Sequence, residues 1–302
     1  MTGKRTRLSG RHSRSISVFD REETIPLKEG EFRLLRDIIK ENSGLFFDDG
    51  SRFLLERRLS RRLKIHHMTD FRDYYRYLLY DRKREEEFKA VIDLLTVNET
   101  FFFREQNQLK AFSEEILPEI SEANKYKNKI RIWSAGCSTG EEPYTIAMLV
   151  LEQGHLSGWN IEILGSDINQ RVLTAARRGV YRKNSFRTTE QYYLNKYFAE
   201  EDGAFVISEK VKQLVNFSYL NLLDPLKIKF LGQMDLIFCR NVLIYFDQQA
   251  RKKVVDNFYD RLVEGGHLLL GHAESLMNIS TSFALRHYKN DMVYQKPVMK
   301  GV

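Results

Sequence analysis

Two cysteines in 302 residues, Cys137 and Cys239, are too few for a disulfide framework or a cysteine-built metal cluster. Both fall at expected strand ends and read as small buried side chains. No apolar run approaches the roughly 20 residues that cross a bilayer. The leading basic residues Lys4, Arg5, Arg7, Arg11 and Arg14 are not followed by the apolar stretch of a signal peptide. The expected location is therefore the cytoplasm, with no direct membrane insertion. GxGxxG is missing, the spacing being Gly136 to Gly140, and so is the GKS or GKT of a phosphate loop, which argues against NAD and ATP. His66 and His67 are adjacent, not four apart, and no carboxylate and cysteine set surrounds them, so no metal is expected. GHAES at 271–275 is no hydrolase elbow, because Ala occupies position 273 where GxSxG needs Ser. Internal repeats are absent.

What the chain does have is an uneven charge. The net value of +7 hides five basic side chains and no acid in residues 1–19, and eleven against four in residues 51–84. Residues 1–27 read as a basic, disordered tail, and the amino-terminal third as a basic surface suited to an acidic partner. Residues 28–97 show apolar positions at helical spacing four times over: Phe32 to Ile39, ending at AsnSerGly 42–44; Phe53 to Leu63; Phe71 to Leu79; Phe88 to Leu95. That predicts a small four-helix domain. In the second helix Arg57, Arg58, Arg61 and Arg62 are spaced to line one side, with leucines on the other. Residues 98–129 follow as a linker and covering segment, with a helix over 105–124 closed near Pro118.

Residues 130–149, IRIWSAGCSTGEEPYTIAML, read as a buried strand, a turn of small residues and a helix start with Pro143 in its first turn. In open α/β sheets such a junction points free amides into the ligand crevice. Glu141 and Glu142 at the helix mouth would repel a polyphosphate and suit a ligand carrying an amine or a sulfonium. Further strands are expected at 161–167, near Phe217, at 234–241 and 267–271, with a final hairpin from FALRHY and DMVYQK. A helix is expected over 170–178. Residues 182–215 break the rhythm with a helix at 189–198 and two short strands, AFVIS and KQLVNF, as a small inserted β-subdomain. The domain 130–298 thus has the outline of an α/β methyltransferase sheet whose last strand runs antiparallel.

The most unusual stretch is LTVNETFFFRE, residues 95–105, in which three phenylalanines are bracketed by Asn98, Thr100 and Arg104. NETFFFRE, then WSAGCSTGEEPYTIA, GSDIN, YLNLLD, DLIFCRNVLIYFD and GGHLLLGHAESL in that order, resembles the chemotaxis methyltransferase family called CheR, from about residue 28 onward. The resemblance implies a class I (Rossmann-like) seven-stranded sheet and methyl transfer from S-adenosylmethionine to chemoreceptor glutamates, giving methyl esters and S-adenosylhomocysteine, with no metal. It also implies donor-binding roles for Asn98, Thr100, Arg104, Gly136, Glu141, Asp167, Asn221, Leu222, Arg240 and Asn241. Asp167, at a strand end, suits the ribose hydroxyls; Glu141, with Glu142 as the alternative, suits the donor's positive region; Asn221 and Leu222 would lie beside the adenine. Arg104 and Tyr245 are expected to align the acceptor carboxylate, and Arg57, Arg58, Arg61 and Arg62 to dock on the receptor's acidic helices.

An RNA methyltransferase would also suit a basic helical domain. Against it, the fourth strand ends CRNVLIYF and not in an AsnProProTyr loop, and basic and aromatic residues are not interleaved as single-strand binding needs, so no nucleic acid is expected. A donor-binding regulatory scaffold is the remaining alternative. Only AEEDGAF separates Phe198 from Val206, shorter than in relatives whose insert grips a pentapeptide tether. The expected substrate binding is therefore tether-independent, by a monomer.

Overall fold

A computed structural model of the chain describes residues 24–298. The basic tail expected over 1–27 lies outside the described residues up to position 23. Residues 25–27 are packed: the Ile25 N–H donates to Ser60 Oγ at 2.9 Å, the Leu27 N–H to Glu56 at 3.0 Å, and Leu27 is buried.

Four helices follow, α1 (Glu29–Ser43), α2 (Arg52–Ile65), α3 (Phe71–Tyr80) and α4 (Arg84–Leu95). Each turns one apolar stripe inward, and Phe32, Leu35, Leu55, Leu59, Phe71, Tyr74, Val91 and Ile92 form their shared core. α1 stops where Gly44 adopts φ +79°, which a residue with a Cβ rarely does.

Helical backbone then runs from Gln106 to Ala123 as α5 (Gln106–Ala111), a π-helical stretch Phe112–Ile116 and α6 (Leu117–Ala123). Pro118 does not close this helix. It occupies the first turn of α6, just after the π stretch, where its missing N–H breaks no regular ladder.

The sheet is the expected one. Its strands are β1 (Lys129–Ala135), β2 (Asn160–Asp167), β6 (Val215–Tyr219), β7 (Met234–Cys239), β8 (Leu262–Leu270), β9 (Ala284–His287) and β10 (Met292–Gln295), in the order β6-β2-β1-β7-β8-β10-β9. The first five run parallel, and β10 inserts antiparallel between β8 and β9. The central strands are apolar on both faces because helices cover both. α7 (Glu141–Leu151) and α8 (Gln170–Arg178) lead off β1 and β2, α8 ending at Gly179 as read from the sequence.

A separate three-stranded sheet, β3 (Val180–Tyr181), β4 (Phe198–Glu201) and β5 (Ala204–Ile207), in the order β3-β5-β4, forms the insert together with helix α9 (Gln191–Tyr197). KQLVNF is not one of its strands. Glu209–Lys212 form a helical turn, and Val215 onward is already β6, pairing with β2 at the edge of the large sheet.

Candidate functional site

β1 and β7 lie side by side, and the chain winds away from them in opposite directions, which opens a crevice at their carboxyl ends. Gly136–Ser138 after β1, Asp167 and Ile168 at the end of β2, Leu220–Leu222 after β6 and Arg240–Val242 after β7 line one cavity of about 440 Å³. That lies within the ~300–1,000 Å³ typical of small-molecule sites. The other wall comes from the helical domain and the segment behind it: Ser43, Leu45–Phe47, Leu54, Leu95–Phe101 and Arg104. Gly136 has φ +81°, and a Cβ there would fall 2.4 Å from Val242 Cγ2, so the turns after β1 and β7 meet only because this residue is glycine.

Asp167 is held before any ligand arrives. Ser138 N–H donates to Oδ2 at 2.8 Å and Asn169 N–H to Oδ1 at 2.9 Å, which leaves each oxygen a further lone pair. Burial pushes its carboxyl above the ordinary range, with Asn169 and Ser138 working against that rise.

The two glutamates of the helix mouth part company. Glu141 lies outside the cavity lining, its carboxylate buried and accepting from Thr139 Oγ1 at 2.6 Å and Ser185 Oγ at 3.1 Å. Burial raises its pKa. The acid that faces the cavity is Glu142, which accepts from Ser134 Oγ at 2.7 Å and from Arg240 Nε at 2.6 Å.

Arg240, expected to reach the donor, is a buried hub as well as a lining residue. Besides Glu142, its Nη1 donates to the Arg104 carbonyl at 2.9 Å and sits 3.4 Å from Glu105 Oε2. Asn241 has φ +60°, and its side-chain Oδ1 is buried with no partner. Asn221 lines the cavity, yet its polar atoms are used elsewhere: Nδ2 donates to the Asn42 carbonyl at 2.8 Å and Oδ1 accepts from Leu223 N–H at 2.9 Å. It ties the two domains together, while Leu222 offers the cavity an apolar wall. Asn98 and Thr100 are also on the wall.

Of the three phenylalanines, Phe102 and Phe103 are core, and Phe101 lies on the cavity. Arg104 spreads over the Phe101 ring at 5.6 Å and donates to the Glu99 carbonyl at 3.3 Å. Its charge meets no carboxylate within ion-pair distance among the described residues. Tyr245 is packed against the helical-domain core and opens on the same cavity. Burial raises its hydroxyl pKa, and Arg104 is close enough to oppose the rise.

The four arginines of α2 do not share one role. Arg58 donates to the carbonyls of Leu94 and Leu95 at 3.0 and 2.9 Å, satisfying the end of α4. Arg62 forks onto Glu87, with Nε to Oε1 at 2.8 Å. Arg57 is exposed, and Arg61 is exposed but not without a partner.

The sequence reading passed over Leu45–Phe47 and held Glu142 only as the alternative to Glu141. The first was legible only as an apolar run inside a turn, GLFF. Among the described residues no group of three or more His, Cys, Asp or Glu could hold a metal, and no helix is long and apolar enough to cross a membrane.

Comparison with known proteins agrees with this architecture. Residues 30–96 match the family described as CheR methyltransferase, all-alpha domain, and residues 98–291 the CheR methyltransferase, SAM binding domain. A chemotaxis protein methyltransferase 2 of Vibrio cholerae is 39% identical over 90% of this chain and 95% of its own length. The chemotaxis protein methyltransferase of Borreliella burgdorferi is 36% identical over 83% and 90%, and that of Escherichia coli 33% identical over 87% and 91%. With the helical domain, the seven-stranded sheet and the donor-sized crevice all accounted for, the chain belongs to the CheR family of S-adenosylmethionine-dependent methyltransferases of chemotaxis.

Proposed function

We propose that the chain methylates glutamate side chains in the cytoplasmic helical domain of chemoreceptors, leaving glutamate methyl esters and S-adenosylhomocysteine. The observation that carries this reading is the Arg104 and Tyr245 pair at the cavity: a cation with no carboxylate partner among the described residues, beside a phenol. Together they offer two donors to the two oxygens of an incoming carboxylate.

The cavity suits S-adenosylmethionine. Asp167 keeps acceptor capacity for ribose hydroxyls, the unpaired Asn241 Oδ1 can accept from an amine, and Glu142 supplies negative charge near a sulfonium. When bound, this donor provides an electrophilic methyl group. A glutamate with an ordinary pKa of about 4.3 is already ionised at neutral pH, so no general base is required. Phe46, Phe101 and Leu222 give the cavity apolar walls, a setting that favours a step in which opposite charges disappear. The chain's work is alignment.

Arg57, exposed on α2, would meet the receptor's acidic helices; Arg58 and Arg62 belong to the fold. The insert's β4–β5 turn is only Asp202-Gly203, which supports docking without a carboxyl-terminal tether. A free tether peptide should then bind far more weakly than intact receptor. Incubation with tritiated S-adenosylmethionine, receptor fragment and RNA tests the substrate: base-labile label on receptor is expected, and label on RNA alone would overturn the reading.

A further inference from the structure

The loop that carries Tyr245 leaves β7 at Cys239 and at once turns its main chain into an awkward shape. Asn241 takes φ +60°, and Leu243–Tyr245 form a single 3₁₀ turn. The N–H groups of Asn241, Val242 and Ile244 have no strand or helix to bond with. All three point to one side chain, Glu274, from the GHAES segment. Its Oε2 accepts from Asn241 N–H at 2.7 Å and Gly271 N–H at 2.8 Å, and its Oε1 from Val242 N–H at 2.9 Å and Ile244 N–H at 3.3 Å. Gly271 makes the approach possible, since a Cβ there would lie 2.9 Å from Asn241 N and from Glu274 Oε2. Glu274 is not itself on the cavity.

We propose that Glu274 is a positioning residue for methyl transfer, its carboxylate holding the Asn241–Tyr245 loop in the one shape that presents Tyr245 to the acceptor. This rests on the reading of Tyr245 as an aligning group. Tyr245 N–H donates to the Val242 carbonyl at 3.2 Å, so the turn moves as a unit with the residue that Glu274 grips. Only a carboxylate can serve four converging N–H groups. An amide offers one acceptor oxygen and sets an NH₂ against the remaining donors. Burial raises the Glu274 pKa while the N–H groups of Asn241, Gly271 and Val242 oppose the rise, consistent with a carboxylate built into the loop.

The test is a double-mutant cycle with Glu274→Gln and Tyr245→Phe in the full chain, reading kcat, KM for receptor fragment and affinity for S-adenosylhomocysteine. Displacing an aligning group by about 1 Å can cost on the order of 100-fold. E274Q is expected to lower kcat by about 10- to 100-fold, with KM and product affinity changed less. In the Y245F background the same substitution should cost under about 2-fold more, since the group it aims is already gone. If E274Q does not fold, Glu274→Asp, which keeps the charge and shortens the reach, enters the same cycle with the same expected non-additivity. Wild-type kcat in E274Q, or a loss that multiplies fully onto Y245F, would overturn the inference. Wild-type kcat in Y245F alone would instead overturn the aligning role of Tyr245, and the inference with it.

Discussion

Asp167 can serve a nucleoside because two main-chain N–H groups fix its carboxylate before binding, so little ordering remains to be done. Asp167→Asn should lower affinity for S-adenosylhomocysteine by about 10- to 100-fold, the size of a hydrogen bond to a charged group, read by calorimetry. Arg104→Ala should act on the other substrate, reducing kcat/KM for receptor by on the order of 100-fold. That both stand at the cavity was legible in the sequence, Asp167 from its place at a strand end and Arg104 from its motif. Glu141 against Glu142 was not. Neighbours on a helix point about 100° apart, so the phase decides which one enters the crevice. That phase is set by Gly140, with φ +93°, and by the burial of Glu141 against Thr139 and Ser185 from the insert. Contacts of 44 residues' separation leave no local signal.

At the level of the element, α2 shows how spacing can mislead. Four arginines at helical intervals predict a basic stripe, yet Arg62 is bonded to Glu87, which Tyr74 and His66 also reach. Arg62→Glu should destabilise the helical domain by about 3–5 kcal/mol, as when a buried pair loses one partner. Arg57→Glu should leave stability within about 0.5 kcal/mol while raising KM for receptor; thermal unfolding and initial rates separate the two. Burial raises the Glu87 pKa, but the bonds from Arg62, Tyr74 and His66 outweigh it and hold the group below its ordinary 4.5. Its stabilisation is thus present above that value and lost as pH falls through the lower, folded one. Amide exchange in α2–α4 should accelerate over that window, and Glu87→Gln should flatten the dependence. Helix periods marked all four helices of this domain. They could not reveal the π stretch that lets Pro118 sit inside a helix, or that Val215 belongs to the large sheet, because both depend on partners distant in sequence.

For the whole molecule, the site exists only where two domains meet. Phe46 N–H donates to the Tyr245 carbonyl at 2.9 Å, Leu45 bridges Phe246, Lys40 Nζ lies 2.6 Å from Asp247, and Thr96 accepts from Asn169 Nδ2 at 2.7 Å. The helical domain is therefore part of the site. It supplies one wall of the cavity and steadies the loop bearing Tyr245, a role that composition and periodicity leave invisible. Arg104 and Tyr245 face this shared cavity, and the product of the step they are proposed to align is a carboxyl ester. Mass spectrometry of receptors incubated with S-adenosylmethionine and either the wild-type chain or Arg104→Ala tests that most directly. Base-labile methyl groups on receptor glutamates, present with wild type and nearly lost with the variant, are predicted. Methylation found on another residue type, or unchanged by the substitution, would contradict it.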